Sequence, residues 1–148
     1  MAMQISSSAF KNGGKIPRQH TCDGSDVSPQ LELGHVPAHA RTLALIVDDP
    51  DAPRGDWVHW LVYDIPVAVQ SFAEGQAPAG ATQGRTDFGR TNWNGPCPPP
   101  GKPHRYFFKL YALDAALELR AGATKKDLLD AMAEHIIDQA QLMGTYER

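Results

Sequence analysis

The stretch RTLALIVDD at 41–49 constrains the fold more than any other part of the chain. Its middle, Leu43 to Val47, is apolar at every position. Successive side chains of a strand point to opposite faces, so a strand here needs apolar cover on both sides. The run is far shorter than the ~20 residues of a membrane-crossing helix. It therefore predicts the central strand of a covered sheet. WVHWLVYDI at 57–65 predicts a second buried strand. Simple alternation puts Trp57, His59, Leu61, Tyr63 and Ile65 on one face and Val58, Trp60 and Val62 on the other. RYFFKLYAL at 105–113 sets Tyr106, Phe108 and Leu110 against Phe107, Lys109 and Tyr111. Weaker strands are expected in MQISS near the start, QLEL at 30–33 and LELR at 117–120. The 13 glycines and 12 prolines fall between these short runs, which is the punctuation of a mainly β chain.

One helix is expected after Thr124, a natural N-cap, with Asp127 near its positive end. Leu128, Leu129, Met132, Ala133, Ile136, Ile137 and Ala140 recur at helical spacing. Gly144 is the expected stop, and His135 is expected on the solvated side. The long stretch 71–104 carries Phe88, Trp93 and a proline cluster, and loops of that length are usually functional or disordered. Its aromatic content predicts order. The 148 residues fit one domain, 1–148. A net charge of −3 suggests no nucleic-acid groove. With no leader-like segment and no apolar span, the expected compartment is the cytoplasm. Cys22 and Cys97 are the two cysteines; that compartment favours their reduced state, while their Gly/Pro-rich loops leave room for the two to come together in space.

Chemistry concentrates in DDPDAPRGDWVHW at 48–60 and around His104. Asp49 and Asp51 flank Pro50, and carboxylates so placed often do no more than bind turn amides. Asp48, Arg54 and Asp56 are expected to be solvated turn charges. His104 and Tyr106, two apart, share a face of one strand. His59 stands within a largely apolar face of another, where a lone histidine is usually a core residue. No metal is expected, since His59, His104, Asp49 and Asp51 have no metal-ligand spacing. No nucleophile motif occurs, and Cys97 lies between two prolines. Histidines, a tyrosine hydroxyl and Gly-rich loop amides are the groups that hold a phosphate-like anion.

These residues are recognisable together. DPDAP at 49–53, HW at 59–60 and GKPHRY at 101–106 resemble the signature regions of the phosphatidylethanolamine-binding protein (PEBP) family, also called the Raf kinase inhibitor proteins. TCDGSDVSP, QGRTDFG, NGPCPP and the terminal GTYER resemble its bacterial branch. Each motif is weak alone, but together, in order over nearly the whole chain, they are specific. Two departures stand out: Gln30, Leu31 and Leu33 follow the SP pair in place of the usual Pro-Leu-x-Trp pattern, and Trp93 replaces a usual tyrosine.

The resemblance implies a mainly β fold: a PEBP-like antiparallel β-sandwich with one C-terminal α-helix and long ordered loops. It implies a small cavity for phosphate or a phosphorylated head group. Asp49, Asp51, His59, Gly95, His104 and Tyr106 would line it, and Pro50, Pro53 and Pro96 would shape its walls, with one X-Pro bond, such as Ala52–Pro53, a candidate for the cis form. The expected function is anion binding without catalysis or cofactor, modulating a kinase or protease partner, in a molecule that forms homodimers. The alternative is a hydrolase or lyase using Asp49 with His59 or His104. An aspartate beside an anion costs about 4 kcal/mol at 4 Å and an effective dielectric of 20. Proton sharing with the ligand, or N–H bonds to the carboxylate from the loop or a histidine, would remove that penalty.

Overall fold

The structure, a computed structural model, describes residues 2–148. Its strands are β1 (Gln4–Ser6), β2 (Leu31–Gly34), β3 (Thr42–Asp49), β4 (Trp57–Pro66), β5 (Ser71–Phe72), β6 (Thr82–Gln83), β7 (His104–Leu113) and β8 (Ile136–Tyr146). One helix, α1 (Lys125–Met132), precedes β8. The strands form a three-stranded sheet, β1-β2-β5, and a five-stranded sheet, β6-β4-β3-β7-β8. All pairings within both sheets are antiparallel.

β3 is hydrogen-bonded on both edges and buried at all eight of its residues. One face packs Leu43, Leu45 and Val47 against the small sheet through Ile5, Leu31, Leu33 and Phe72. The other packs Ala44 and Ile46 beside Leu128 and Met132 of α1. The apolar run thus receives the double cover it demands. β7 alternates as expected, with Tyr106, Phe108 and Leu110 in the inter-sheet core.

β4 departs from simple alternation. Val47 pairs with Trp60 but Asp48 with Val58, which leaves His59 as the extra residue of a β-bulge. A second shift lies between Leu43↔Ile65 and Leu45↔Val62, next to Asp64 at φ 50°. Each bulge switches the faces of the residues beyond it. Val58 therefore joins Leu61 and Tyr63 under α1, and Ile65 joins Trp60 and Val62 between the sheets. The Asp64 carboxylate also accepts the N–H groups of Leu117 at 2.7 Å, Glu118 at 3.3 Å and Leu119 at 3.2 Å. With those donors taken, LELR at 117–120 does not form the expected strand.

The helix is shorter than its periodicity predicts. Thr124 and Asp127 form a reciprocal capping box. The chain leaves the helix at Ala133, turns through Glu134 at φ 72° and continues as β8. β8 pairs with β7 from His104↔Tyr146 to Leu113↔Ile136. The unpaired edge of β7 outweighs the modest helix preference of IIDQAQLMGTY, because tertiary pairing overrides local propensity. Ile136 is exposed as a result, and His135 binds Asp114 at 2.8 Å. Gly144 is not a helix stop. It lies inside β8, where an added Cβ would sit 2.6 Å from Ile16 and 2.7 Å from the Phe10 ring.

Asp48 is not a solvated turn charge. It is fully buried at the end of β3, 2.8 Å from the Lys125 ammonium and 3.1 Å from that of Lys109. It ties α1 and β7 to the sheet centre. Breaking a buried charge pair on one side leaves the remaining charges unsatisfied. Asp48→Asn should therefore cost about 3 kcal/mol, read as a lower urea midpoint at unchanged m-value. An unchanged midpoint would contradict this reading of the cluster.

Candidate functional site

Three neighbouring strands bring the site together. Asp49 ends β3, His59 occupies the bulge of β4, and His104 and Tyr106 begin β7. All four are buried. His104 donates Nδ1–H to Asp49 Oδ2 at 2.6 Å. That bond fixes the ring tautomer and leaves Nε2 for another partner. Asp49 Oδ1 accepts the N–H of Asp51 at 2.8 Å. The carboxylate is thus held by a histidine and a loop amide, the two kinds of N–H donor expected from the sequence. The Tyr106 hydroxyl is pushed well above its ordinary pKa by burial and by the Asp49 charge. It stays protonated and able to donate.

His59 is clamped by the long loop. Its Nδ1–H donates to Asn94 O at 2.5 Å, while Asn94 N–H donates to His59 O at 3.0 Å. Its ring stands edge-on to Phe88 and Tyr106, each 5.2 Å away between centroids. Burial holds the imidazole below its ordinary pKa of 6.5 and keeps it neutral. A carbonyl can only accept, so the neutral ring keeps Nε2 as an acceptor.

These groups face a cavity of about 310 Å³, at the low end of the roughly 300–1,000 Å³ of small-molecule sites. Asp49, His59, His104, Tyr106 and Pro53 line it as expected, together with Ala52, Arg54, Trp57, Phe88, Cys97, Pro98 and Pro99. Asp51, Gly95, Pro50 and Pro96 are not on its wall. Asp51 turns away to Arg105, accepting its backbone N–H, Nε and Nη2, each at 2.9 Å. That guanidinium holds the Asp51 carboxyl below its usual range. Gly95 is a packing residue: its N–H donates to Asp26 at 2.9 Å, and a Cβ would sit 2.1 Å from His20 O. No peptide bond among the described residues is cis. Arg54, expected as a solvated turn charge, stands at the mouth. Trp57 and Phe88 form an edge-on aromatic pair at 5.8 Å. Phe88 carries no signal of its own beyond its place in QGRTDFG.

The wall is backed by residues 20–27. Cys22 and Cys97 do come together in space, and they form a disulfide in place of the reduced state that a cytoplasmic compartment favours, with Cα atoms 5.4 Å apart. Backbone pairing brings them together, because Cys22 N–H donates to Pro96 O at 3.1 Å. The C-terminus closes the same region. Arg148 lies 3.3 Å from Asp23 and 3.5 Å from Pro98 O, and Tyr146 donates to Asp23 at 2.5 Å. The motifs TCDGSDVSP, NGPCPP and GTYER therefore meet behind one cavity wall.

A family model described as phosphatidylethanolamine-binding protein matches residues 6–147. A UPF0098 protein of Methanothermobacter thermautotrophicus is 46% identical, the match covering 99% of each chain. One from Chlamydia pneumoniae is 47% identical over the same shares, so the likeness spans archaea as well as bacteria. The crystal structure of a putative PEBP homolog from Chlamydia trachomatis superposes with a TM-score of 0.95 at 45% identity, covering 99% of this chain and 98% of that one. E. coli YbcL, described as a new member of the mammalian PEBP family, superposes with a TM-score of 0.93 at 32% identity, covering 100% and 99%.

Two outcomes test the site's construction. His59 titrates lower in the folded state than its ordinary 6.5. The unfolded chain therefore binds the extra proton first, and stability falls as pH drops through about 6.5. A His59→Gln variant should lose less stability between about pH 7.5 and 5.5 than the wild type; identical slopes in thermal melts would contradict the neutral, buried ring. The disulfide closes a long loop, 75 residues apart in sequence. Replacing both cysteines by serine should cost about 2–4 kcal/mol, measured by denaturant unfolding under non-reducing conditions.

Proposed function

This chain belongs to the phosphatidylethanolamine-binding protein family, and from that premise we propose that it binds a small oxyanion, a phosphate or phosphorylated head group, in the Asp49–His59–His104–Tyr106 cavity. The observation that carries the reading is the Asp49–His104 bond at 2.6 Å. It spends the carboxylate on the far side of the imidazole and leaves Nε2 toward the ligand. An anion there meets an imidazole edge and a phenol, beside an Asp49 carboxylate whose two oxygens already accept N–H bonds. The cavity volume suits a head group and is too small for acyl chains.

Binding is favoured over turnover because the lining contains no serine or threonine, and its one cysteine is in the disulfide. A hydrolase or lyase would have to use Asp49 and His104 as a base acting on water. The wider role, modulation of a kinase or protease, and pairing into homodimers are proposed from family membership alone. No helix among the described residues is long and apolar enough to cross a membrane. A cytoplasmic location would have to accommodate the disulfide, which persists more readily in oxidising compartments.

Titration calorimetry with inorganic phosphate tests the cavity. The wild type should bind, and His104→Gln should weaken binding at least tenfold, a loss of about 1.4 kcal/mol. His135→Gln, at a surface pair with Asp114, should bind as the wild type does. Equal binding by all three would overturn the assignment.

A further inference from the structure

The turn after β3 carries a cation that neither the family motif nor the Asp49–His104 pair uses. Ala52-Pro53-Arg54-Gly55 is a tight turn closed by Gly55 N–H to Ala52 O at 2.9 Å. Pro53 takes the second position, where its fixed φ suits a turn, and Arg54 takes the exposed third. The base of this turn is pinned by the three bonds from Arg105 to Asp51. That anchor holds Ala52, Pro53 and Arg54 against the cavity, which all three line.

Four other cations around the site are already engaged. Arg105 is held by Asp51, Lys109 and Lys125 by Asp48, and Arg148 by Asp23. Among the described residues Arg54 makes no ion pair. It is therefore the one arginine or lysine on the lining whose charge is free for a ligand. Its guanidinium is a planar fork that suits two oxygens of one oxyanion.

We propose that Arg54 is a specificity-determining residue that selects phosphate monoesters over diesters. The proposal rests on the anion-binding reading of the cavity and adds its ligand class. Oxygen counting supplies the argument. A monoanionic monoester has three non-bridging oxygens: two for the Arg54 fork at the mouth and a third, its P–OH, that donates to the free Nε2 of His104 on the floor. A diester has only two, so it must give up either the fork or the floor. The same chemistry separates a free phosphorylated head group from an intact phospholipid, whose phosphate is a diester.

Calorimetry with phosphoethanolamine and glycerophosphoethanolamine, at one pH and salt concentration, tests this. The wild type should bind the monoester at least about tenfold more tightly than the diester. Arg54→Gln should lose that preference by weakening the monoester alone, and Arg54→Lys, with a charge but no fork, should fall between. Arg54 is exposed at a turn tip, so the variants should melt like the wild type. Unchanged monoester affinity in Arg54→Gln, or a diester bound as well as the monoester by the wild type, would overturn the role of Arg54 and leave the cavity intact. No binding of either compound by the wild type would overturn both readings.

Discussion

Asp49 stands at the end of a strand that has no solvent on either face, and the rest of the site depends on that position. β3 cannot present chemistry along its length, because both faces and both edges are occupied. Only its end is free to do so. The neighbours there are the bulge of β4 and the start of β7, which supply His59 and His104. A buried carboxylate in this place needs partners. It receives the His104 ring on one oxygen and the Asp51 amide on the other. The same two bonds that make Asp49 tolerable orient the imidazole and start the turn that bears Arg54.

The loops extend this logic outward. The 94–99 segment clamps His59 and supplies Cys97, Pro98 and Pro99 to the wall. It is itself held by residues 20–27 and by the C-terminus. The motifs that look unrelated along the chain are thus successive layers behind one cavity. Asp51 and Gly95 act at this level. One anchors the turn through Arg105, and the other permits the close approach of two loops.

Much of the fold is legible in the sequence wherever a side-chain pattern has only one physical solution. LALIV can only be a doubly covered strand, and β7 alternates without interruption. The strand β8 is hidden because Ile136, Ile137 and Ala140 fit a helical stripe, while Ala140, Leu142, Gly144 and Tyr146 fit a strand equally well. Local pattern cannot show that the edge of β7 needs a partner. The bulges in β4 are invisible because a bulge shifts the face without changing composition. Of the site, Asp49, His59, His104, Tyr106 and Pro53 are readable from motif resemblance. Motif membership does not separate a lining residue from one that positions it, so Asp51, Gly95, Pro50 and Pro96 are grouped with the cavity on sequence alone. Asp48 and Arg54, side by side with the motif, look alike as turn charges; the register of β3 buries one and the turn exposes the other.

The central claim is that His104, oriented by Asp49, meets the ligand through Nε2 with His59 beside it. The six histidines allow this to be read directly by nitrogen-15 NMR of the imidazole rings. On addition of inorganic phosphate, the ring signals of His104 and His59 should move in a saturable way. Those of His20, His35, His39 and His135 should stay in place. Saturable phosphate binding that leaves the His104 ring nitrogens unmoved would contradict the account.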